Sequence, residues 1–275
     1  MSYKVTTLIT TDKAVANDEK RLSICLRSNG FSFSIVTLDR VLLTFGEAEF
    51  DFDQPLGTLT QQLKDFFADN GIVTFGLRQM DLVVLSECFV WMPTQLYDTT
   101  RDRQYLHTVG SPDVALGVFH NEVPLLKSHM IFSAPTTVVT AFKVAIPGID
   151  VQCQHSALVN HELLQRSARH PLMLLHVRQG NVDIEAFYGG QLLLSNSYTC
   201  PERSELLYRA LGVMKQLHLE TPDMELTICG EVDRELFGYL QHYFPSVTLH
   251  TGGAVTFENP EFQTFPTYRH ALLLS

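Results

Sequence analysis

The feature that most constrains the fold of this chain is a pattern of alternating strands and turns that occurs twice. In the first half, apolar and polar residues alternate over residues 22–26 and 31–35, and the tight-turn pair Asn29-Gly30 lies between them. A further apolar segment, residues 41–45, follows a second turn at Asp39-Arg40. The sequence therefore predicts that the chain opens with a three-strand antiparallel meander.

The second half repeats this pattern after Pro171. Residues 172–177, 182–187 and 192–196 are predicted strands, and they are separated by a turn at 178–181 and by Gly189-Gly190. The two halves thus predict the same local topology.

A single numbering offset of 151 residues aligns the two patterns. It pairs Cys25 with His176 and Arg27 with Arg178 on the first strands. Because turns, strands and the following helix all agree, we favour an internal duplication over chance similarity. The same offset also pairs the following residues: Phe31 with Val182, Phe33 with Ile184, Val41 with Leu192, Leu42 with Leu193, Leu43 with Leu194, Leu56 with Leu207, Leu59 with Ala210, Leu63 with Met214, and Phe66 with Leu217.

Helices are predicted from apolar residues at helical spacing. One helix covers residues 56–67, with Asp53 as its N-cap and Gly71 at its end. Thr199 and Glu202 have the spacing of a capping box before a second helix, and Asp233 is expected to cap a third.

The segment between the repeats is predicted to hold mixed elements. A strand begins after Asp81 and continues towards Val90, residues 94–105 are helical, and residues 114–119 and 127–132 are strands. Helices at 138–145 and 157–168 complete this half. We therefore expect two domains, residues 1–168 and 169–275.

Composition excludes several classes of function. The formal net charge of −10 and the lack of a basic run argue against binding nucleic acid. The first twenty residues lack the apolar core of a signal peptide, and residues 82–92, the most apolar stretch, are too short to span a membrane. Five scattered cysteines without a CxxC pair predict reduced core thiols and a cytoplasmic protein.

Three segments resemble the actin-like ATPase superfamily, and the pilus-assembly actin-like proteins in particular. LLHVRQGNVDIEAFYGGQLLLSNSY (residues 174–198) is similar to the second phosphate-loop region of that superfamily. LTICGEVDRELFGYLQHYF (residues 226–244) is similar to its adenosine-contacting region, and LSICLRSNGFSFSI (residues 22–35) lies where the first phosphate loop belongs. More narrowly, the chain resembles an uncharacterised bacterial family with this fold and no assigned activity.

The resemblance implies a fold and a site. The fold is α/β: two duplicated actin-like, ribonuclease H-like lobes, each a mixed sheet with a β-meander and flanking helices. The resemblance places the phosphate-loop turns opposite each other across a cleft between the lobes. The residues that it assigns to nucleotide binding are Ser28, Asn29, Gly30, Gln179, Gly180, Asn181, Asp183 and Gly230.

The sequence departs from the superfamily pattern at the positions on which ATP hydrolysis depends. ATP-hydrolysing members carry an Asp at the end of the first strand of each half and a glycine two residues later. Here Cys25 and His176 hold the Asp positions, and Arg27 and Arg178 hold the glycine positions. Glu231 also stands where a second adenosine-region glycine is usual. Cysteine and histidine are poor ligands for Mg²⁺, and an arginine side chain crowds the approach to phosphate.

We therefore expect a protein without catalytic or metal-binding residues and without a cofactor, which acts through contacts with an unidentified protein partner. The alternative is a residual nucleotide binder, a weak ATPase or a kinase, with ATP as its ligand. Two other hypotheses carry less weight: Arg27 and Arg178 as direct phosphate ligands, and Cys25 as a nucleophile. A metal site among His155, His161, His170 and His176 lacks the required spacing.

Overall fold

The computed structural model describes residues 3–11, 19–72, 77–110, 113, 115–165, 170–220 and 223–275, without the side chains of 164–165. Contacts divide the chain into two units. The first comprises Met1–Ser156, Ala254–Phe265 and Leu272–Leu274, and the second comprises Ala157–Gly253, Pro266–Ala271 and Ser275. The expected domain boundary between Ala168 and Arg169 lies outside the described residues.

The main sheet of the first unit has the strand order β1-β4-β3-β2-β5-β9, and β15 also pairs with β4. The meander β2-β3-β4 is antiparallel, as predicted, and β5 runs parallel to β2 while β9 runs parallel to β5. The strands are β1 (Tyr3–Thr10), β2 (Lys20–Arg27), β3 (Gly30–Thr37), β4 (Val41–Phe50), β5 (Gln79–Val84), β9 (Asp150–Cys153) and β15 (Thr256–Phe257).

The prediction that the chain opens with the meander is wrong. Strand β1 precedes it and pairs antiparallel with β4. Half of the residues of β1 are exposed and half are partly buried, with none fully buried. A strand of this kind buries little apolar surface, so its hydrophobic signal is weak.

The sheet of the second unit has the strand order β12-β11-β10-β13-β14, which corresponds to β4-β3-β2-β5-β9 of the first. Here too the first three strands are antiparallel, and the last two are added in parallel. The strands are β10 (Leu172–Arg178), β11 (Asn181–Tyr188), β12 (Gln191–Thr199), β13 (Glu225–Gly230) and β14 (Ser246–Leu249).

The 151-residue offset holds for the first hairpin of each sheet and not beyond it. Cys25 pairs with Ser32 in the first unit, and His176 pairs with Asp183 in the second, in the same register. On the third strand the offset falls to 150, because Glu49 faces Gly30 while Thr199 faces Asn181. The predicted pairing of Val41 with Leu192 is therefore displaced by one residue. Residues 192–194 are all leucine, so no alternation marks the register.

The helix that follows each meander is also displaced. Helix α1 is Leu56–Asp69 and helix α5 is Arg203–Gln216. Their buried positions match at an offset of 147 rather than 151. The matched residues are Leu59, Thr60, Leu63, Phe66 and Phe67 in α1, and Leu206, Leu207, Ala210, Val213 and Met214 in α5. Four residues are close to one helical turn of about 3.6 residues, so the periodic pattern alone cannot distinguish the two alignments.

Two of the three predicted helix caps are wrong. Pro55 occupies the N-cap of α1, and Glu202 occupies that of α5, both without a side-chain cap hydrogen bond. Asp53 and Thr199 therefore do not cap these helices. In α6 (Arg234–Gln241), by contrast, Asp233 accepts a 2.7 Å hydrogen bond from the backbone N–H of Leu236, as predicted.

A smaller sheet with the order β6-β8-β7 is inserted in the first unit. Strand β5 ends at Val84 and does not continue towards Val90, and the predicted helix at 94–105 is two 3₁₀ turns followed by the short helix α2. The predicted strand start at Val114 and the helix end at Ala168 lie outside the described residues. The elements are β6 (Phe89–Pro93), α2 (Asp102–His107), β7 (Leu116–Val123), β8 (Ser128–Pro135), α3 (Thr136–Ala145), α4 (Gln154–Gln165) and, near the C-terminus, α7 (Ala271–Leu274).

Gly30 supports the first hairpin because a side chain there has no room. Its φ is +152°, and a Cβ atom would lie 2.0 Å from the carbonyl oxygen of Ala48 on β4. We expect Gly30→Ala to lower the free energy of unfolding by about 2–4 kcal/mol, from overpacking and backbone strain together. Urea unfolding followed by circular dichroism measures this.

Gly57→Ala is the matched control, because a Cβ atom at this exposed position of α1 meets nothing within 4 Å. It should leave stability unchanged or raise it slightly. Equal losses in both variants would contradict the assigned role of Gly30.

Candidate functional site

The two turns predicted to bind phosphate occupy equivalent places in their sheets. Each follows the first strand of a meander, at Ser28-Asn29 and at Gln179-Gly180. The carbonyl oxygen of Asn29 accepts a 3.0 Å hydrogen bond from the N–H of Phe50, and that of Gly180 accepts a 2.8 Å bond from the N–H of Cys200. Each turn is therefore tied to the end of its third strand. The expectation that the two turns face each other stays a prediction.

Asp183 is the centre of a buried polar network in the second unit. The residue is fully buried on β11, directly opposite His176 of β10. Its Oδ2 atom lies 2.9 Å from Nδ1 of His176 and accepts a 3.0 Å hydrogen bond from Nε of Arg178. Its Oδ1 atom accepts bonds of 2.7 Å from Nη2 of Arg178 and 2.5 Å from Oγ of Ser197. Both oxygens of the carboxylate are thus occupied by side chains of the same unit.

This donor set does not fit a hydrated Mg²⁺ with its nucleotide. Mg²⁺ requires accessible oxygen ligands in near-octahedral geometry. Asp183 is the acidic residue that the sequence assigns to the second loop, but Arg178 holds it in a bidentate ion pair. A metal ion would have to displace the guanidinium group, which is itself a cation. Arg178 is likewise committed to Asp183, and its side chain is only 12% exposed.

The equivalent positions in the first unit carry different chemistry. Cys25 is buried opposite Ser32, so the place of the His176–Asp183 pair is taken by a thiol and a hydroxyl. Arg27 forms an ion pair with Glu47 of β4 instead of reaching across the hairpin, and its side chain remains 40% exposed. Neither arginine thus stands without a carboxylate partner.

Gly230 ends β13 at a close contact between two strands. Its φ is +88°, and a Cβ atom would lie 2.1 Å from the carbonyl oxygen of Val177 on β10. The N–H of Glu231 donates a 2.8 Å hydrogen bond to this same oxygen. The glycine is therefore explained by strand packing, without reference to a ligand.

A second buried acid–base pair, which the sequence did not reveal, lies in the same unit. Oε1 of Glu162 on α4 is 3.0 Å from Nδ1 of His250, and both side chains are nearly inaccessible. The His161 ring packs edge-on against that of His250 at 5.0 Å. Glu162 and His250 are 88 positions apart in a sequence with no motif around either, so only the fold brings them together.

The nearby Cys229 is an unreactive core thiol. Burial raises its pKa well above the ordinary value, and the negative charges of Asp183 and Glu162 raise it further. A thiol with a raised pKa is a weak nucleophile at neutral pH. None of the five cysteines, all of which lie in the described residues, forms a disulfide bond.

The described part of the chain lacks two other kinds of site. No three or more His, Cys, Asp or Glu side chains converge there as metal ligands would. Within the same residues, none of the helices has the length and apolar character needed to cross a bilayer.

The two sheets and their shared strand order define the class of this protein: it has the actin-like ATPase fold. A Bacteroides thetaiotaomicron structure described as having this fold and unknown function is 23% identical and has a TM-score of 0.72, covering 94% of this chain and 97% of that one. The PilM–PilN type IV pilus biogenesis complex matches with 9% identity and a TM-score of 0.56, again over 94% and 97%. The ethanolamine utilization protein EutJ from Carboxydothermus hydrogenoformans matches with 7% identity, a TM-score of 0.51, and coverage of 97% and 93%.

The chain belongs to the family described as "Protein of unknown function (DUF3822)", whose model matches residues 10–247. The search of curated protein sequences found no relative. Family and fold are therefore shown, and the biochemical role has to be argued from the residues of the site.

Substitution of the two equivalent arginines, Arg178 and Arg27, should change the stability of the protein by very different amounts. Arg178→Ala leaves the fully buried carboxylate of Asp183 without its charge partner, which typically costs about 3–5 kcal/mol of stability. Arg27→Ala removes a half-exposed ion pair, and such pairs contribute about 0–1 kcal/mol. Urea unfolding of both variants followed by circular dichroism measures the difference.

Asp183→Asn/Arg178→Leu is a useful third variant, because it removes both charges together. It should recover part of the stability that Arg178→Ala loses. Equal unfolding midpoints for the two single arginine variants would contradict the assigned network.

Proposed function

We propose that this protein is a cytoplasmic, non-catalytic member of the actin-like fold group that acts through contacts with another protein. The proposal rests on the hydrogen bonds that the side chain of Asp183 accepts. It is the acidic residue assigned to the second phosphate loop, and both of its oxygens accept hydrogen bonds from Arg178, His176 or Ser197. With Cys25 and His176 at the superfamily's Asp positions, Asp183 is the acidic group left in this loop for a metal, and its charge is neutralised within the protein.

The first phosphate loop supports the same conclusion. Cys25 and Ser32 supply no carboxylate at the corresponding place of the first unit, and Arg27 is paired with Glu47. A nucleotide would therefore meet neither a hydrated metal nor an arginine without a carboxylate partner. Loss of the metal removes a main stabilisation of the charge that develops on the transferred phosphoryl group.

A role in protein contacts is supported by analogy of fold. One structural neighbour, PilM, is described as part of a type IV pilus biogenesis complex with PilN. At 9% identity this likeness extends to the fold alone. It therefore does not identify the protein that this chain would contact. We further propose that the two units arose by internal duplication, since their strand order, their first hairpin register and a bulge near the start of the third strand coincide.

The proposal predicts that millimolar Mg-ATP neither stabilises the protein nor is hydrolysed by it. A ligand at about 100 times its Kd stabilises a protein by about 2.7 kcal/mol, which raises Tm by roughly 2–4 °C per kcal/mol for domains of about 150–250 residues. Thermal unfolding of the full chain with and without Mg-ATP, and phosphate release against a buffer control, are the two measurements. We expect no shift of that size and no release above the control.

The variant Gln179→Glu separates a real site from non-specific binding. Gln179 is exposed at the second turn, so a carboxylate there would repel a phosphate without disturbing the core. Gly230 is unsuitable for this purpose, because any side chain at that position clashes with Val177. A Mg²⁺-dependent rise of Tm that Gln179→Glu abolishes would overturn the non-catalytic proposal in favour of a residual nucleotide binder.

A further inference from the structure

A groove lies beside helix α5 of the second unit. One face of the helix and Tyr198 of β12 line this space of about 440 Å³, the α5 groove. On the helix its lining includes Tyr208, Arg209, Gly212 and Lys215, and Tyr208 is 71% exposed. Binding clefts in proteins commonly measure about 300–1,000 Å³. The α5 groove is therefore large enough to receive part of a ligand.

In the first unit, Tyr3 of β1 occupies the equivalent place. Its ring stacks on that of Phe50 of β4 with 5.2 Å between the centroids, and it meets the ring of Phe66 of α1 edge-on at 5.4 Å. Its hydroxyl donates a 2.6 Å hydrogen bond to Oδ2 of Asp69. This hydrogen bond, partial burial and the negative charges of Asp69 and Asp65 raise the pKa of Tyr3 to about 12. An aromatic ring and helix carboxylates thus meet between the third strand and the helix.

The alignment of α1 with α5 places the α5 groove at the position of the Tyr3 ring. Three neighbours of Tyr3 on α1 correspond, at the offset of 147, to residues that line the groove: Asp65 to Gly212, Phe66 to Val213, and Asp69 to Gln216. The first unit therefore shows that this part of the fold accepts an aromatic side chain with a polar group beside the helix.

The α5 groove carries positive charge. Arg209 and Lys215 line it, and none of the described lining residues is acidic. Glu205, one helical turn before Arg209, lies outside the lining. The guanidinium group of Arg209 lies over the ring of Tyr198, 5.5 Å from its centroid. Among the residues that the structure describes, neither cation forms an ion pair with a carboxylate.

Gly212 is a glycine that the packing of the helix does not require. It lies in the interior of α5, where glycine is less favourable than alanine. A Cβ atom at this position would meet nothing within 4 Å, and its φ is not positive. The missing side chain does, however, leave space in the α5 groove. The glycine is therefore accounted for if that space is used by a ligand.

We propose that the α5 groove binds an acidic segment of a partner protein. An aromatic or aliphatic side chain of the segment packs against Tyr198 and Tyr208, and neighbouring carboxylates bind Arg209 and Lys215. This inference rests on the proposed function, because it names the surface and the chemistry of one protein contact. Tyrosine and arginine are enriched at such contacts, and arginine can bind a carboxylate through two parallel hydrogen bonds. All of these contacts are made with side chains, and none with the backbone of β12.

The charges around the groove favour a peptide over a nucleic acid. At physiological ionic strength, charges beyond a Debye length of about 8 Å are largely screened, so Arg209 and Lys215 dominate the attraction for a short acidic segment. Single-stranded nucleic acid also combines negative charge with aromatic rings. Its phosphates would continue past the groove along a chain whose net charge is −10, which opposes binding.

The test is selection by the full chain from two libraries of short peptides. In the first library, a central aromatic or aliphatic residue is flanked by Asp and Glu, and in the second Asn and Gln replace these acids. We expect binders from the acidic library. Fluorescence anisotropy of the best acidic peptide then measures its Kd, and its Asn/Gln counterpart should bind about tenfold more weakly or worse.

Two variants of α5 locate the binding in the groove. Arg209→Glu should weaken binding of the acidic peptide by about tenfold or more, because a carboxylate then faces carboxylates. Gly212→Leu should weaken it comparably by filling the groove, while thermal stability stays equal or rises, since leucine favours the helix. Lys64→Glu, at an exposed position of α1, is the matched control for the change of charge and should bind normally.

Three results would overturn the proposal. They are an acidic library without binders, a bound peptide whose Kd is unchanged in Arg209→Glu and Gly212→Leu, and binding of a single-stranded oligonucleotide in preference to the acidic peptides. Each of them concerns the α5 groove alone. The measurements with Mg-ATP test the proposed function separately, so that a failure of one is distinguishable from a failure of the other.

Discussion

The carboxylate of Asp183 imposes the strictest constraint on the second unit. A charge removed from water costs several kcal/mol unless it is paired and hydrogen-bonded. Asp183 is fully buried, and its bonds to His176, Arg178 and Ser197 join β10, β11 and β12 into one polar network. Arg178 is thereby held by Asp183, and the end of the hairpin is fixed in place. Burial raises the pKa of Cys229 on strand β13, and the negative charge of Asp183 raises it further.

The first unit builds the same strand arrangement without this network. Cys25 and Ser32 occupy the positions that correspond to His176 and Asp183. Arg27 forms an ion pair with Glu47 of β4, and both side chains are partly exposed. One backbone topology thus supports a charged, buried centre in one unit and a neutral one in the other. Both arrangements stabilise the strands from within, so the topology does not depend on one particular set of side chains at the strand ends.

Much of the fold could be predicted from the sequence, while several registers could not. The hairpin β2-β3 was predictable because period-two alternation and the turn pair Asn29-Gly30 agree, and the hairpin β10-β11 because a turn at 178–181 separates the apolar residues 172–177 from the alternating residues 182–187. Register failed on β12, where three consecutive leucines carry no alternation, and on α5, where a shift of four residues preserves the helical pattern. Strand β1 was missed because it is only half-buried, and the cap at Asp233 was found because its bond is local.

For the candidate site, the sequence by itself determined which residues stand at the strand ends. Cys25, Arg27, His176 and Arg178 follow from the repeat, and their departure from the superfamily pattern needs no coordinates. Only the tertiary structure decided what these residues do. The ion pairs Arg178–Asp183 and Arg27–Glu47 and the contact of Glu162 with His250 depend on strand register and packing. The physical reason is that side-chain partners form across strands, at distances that the order of residues along the chain does not encode.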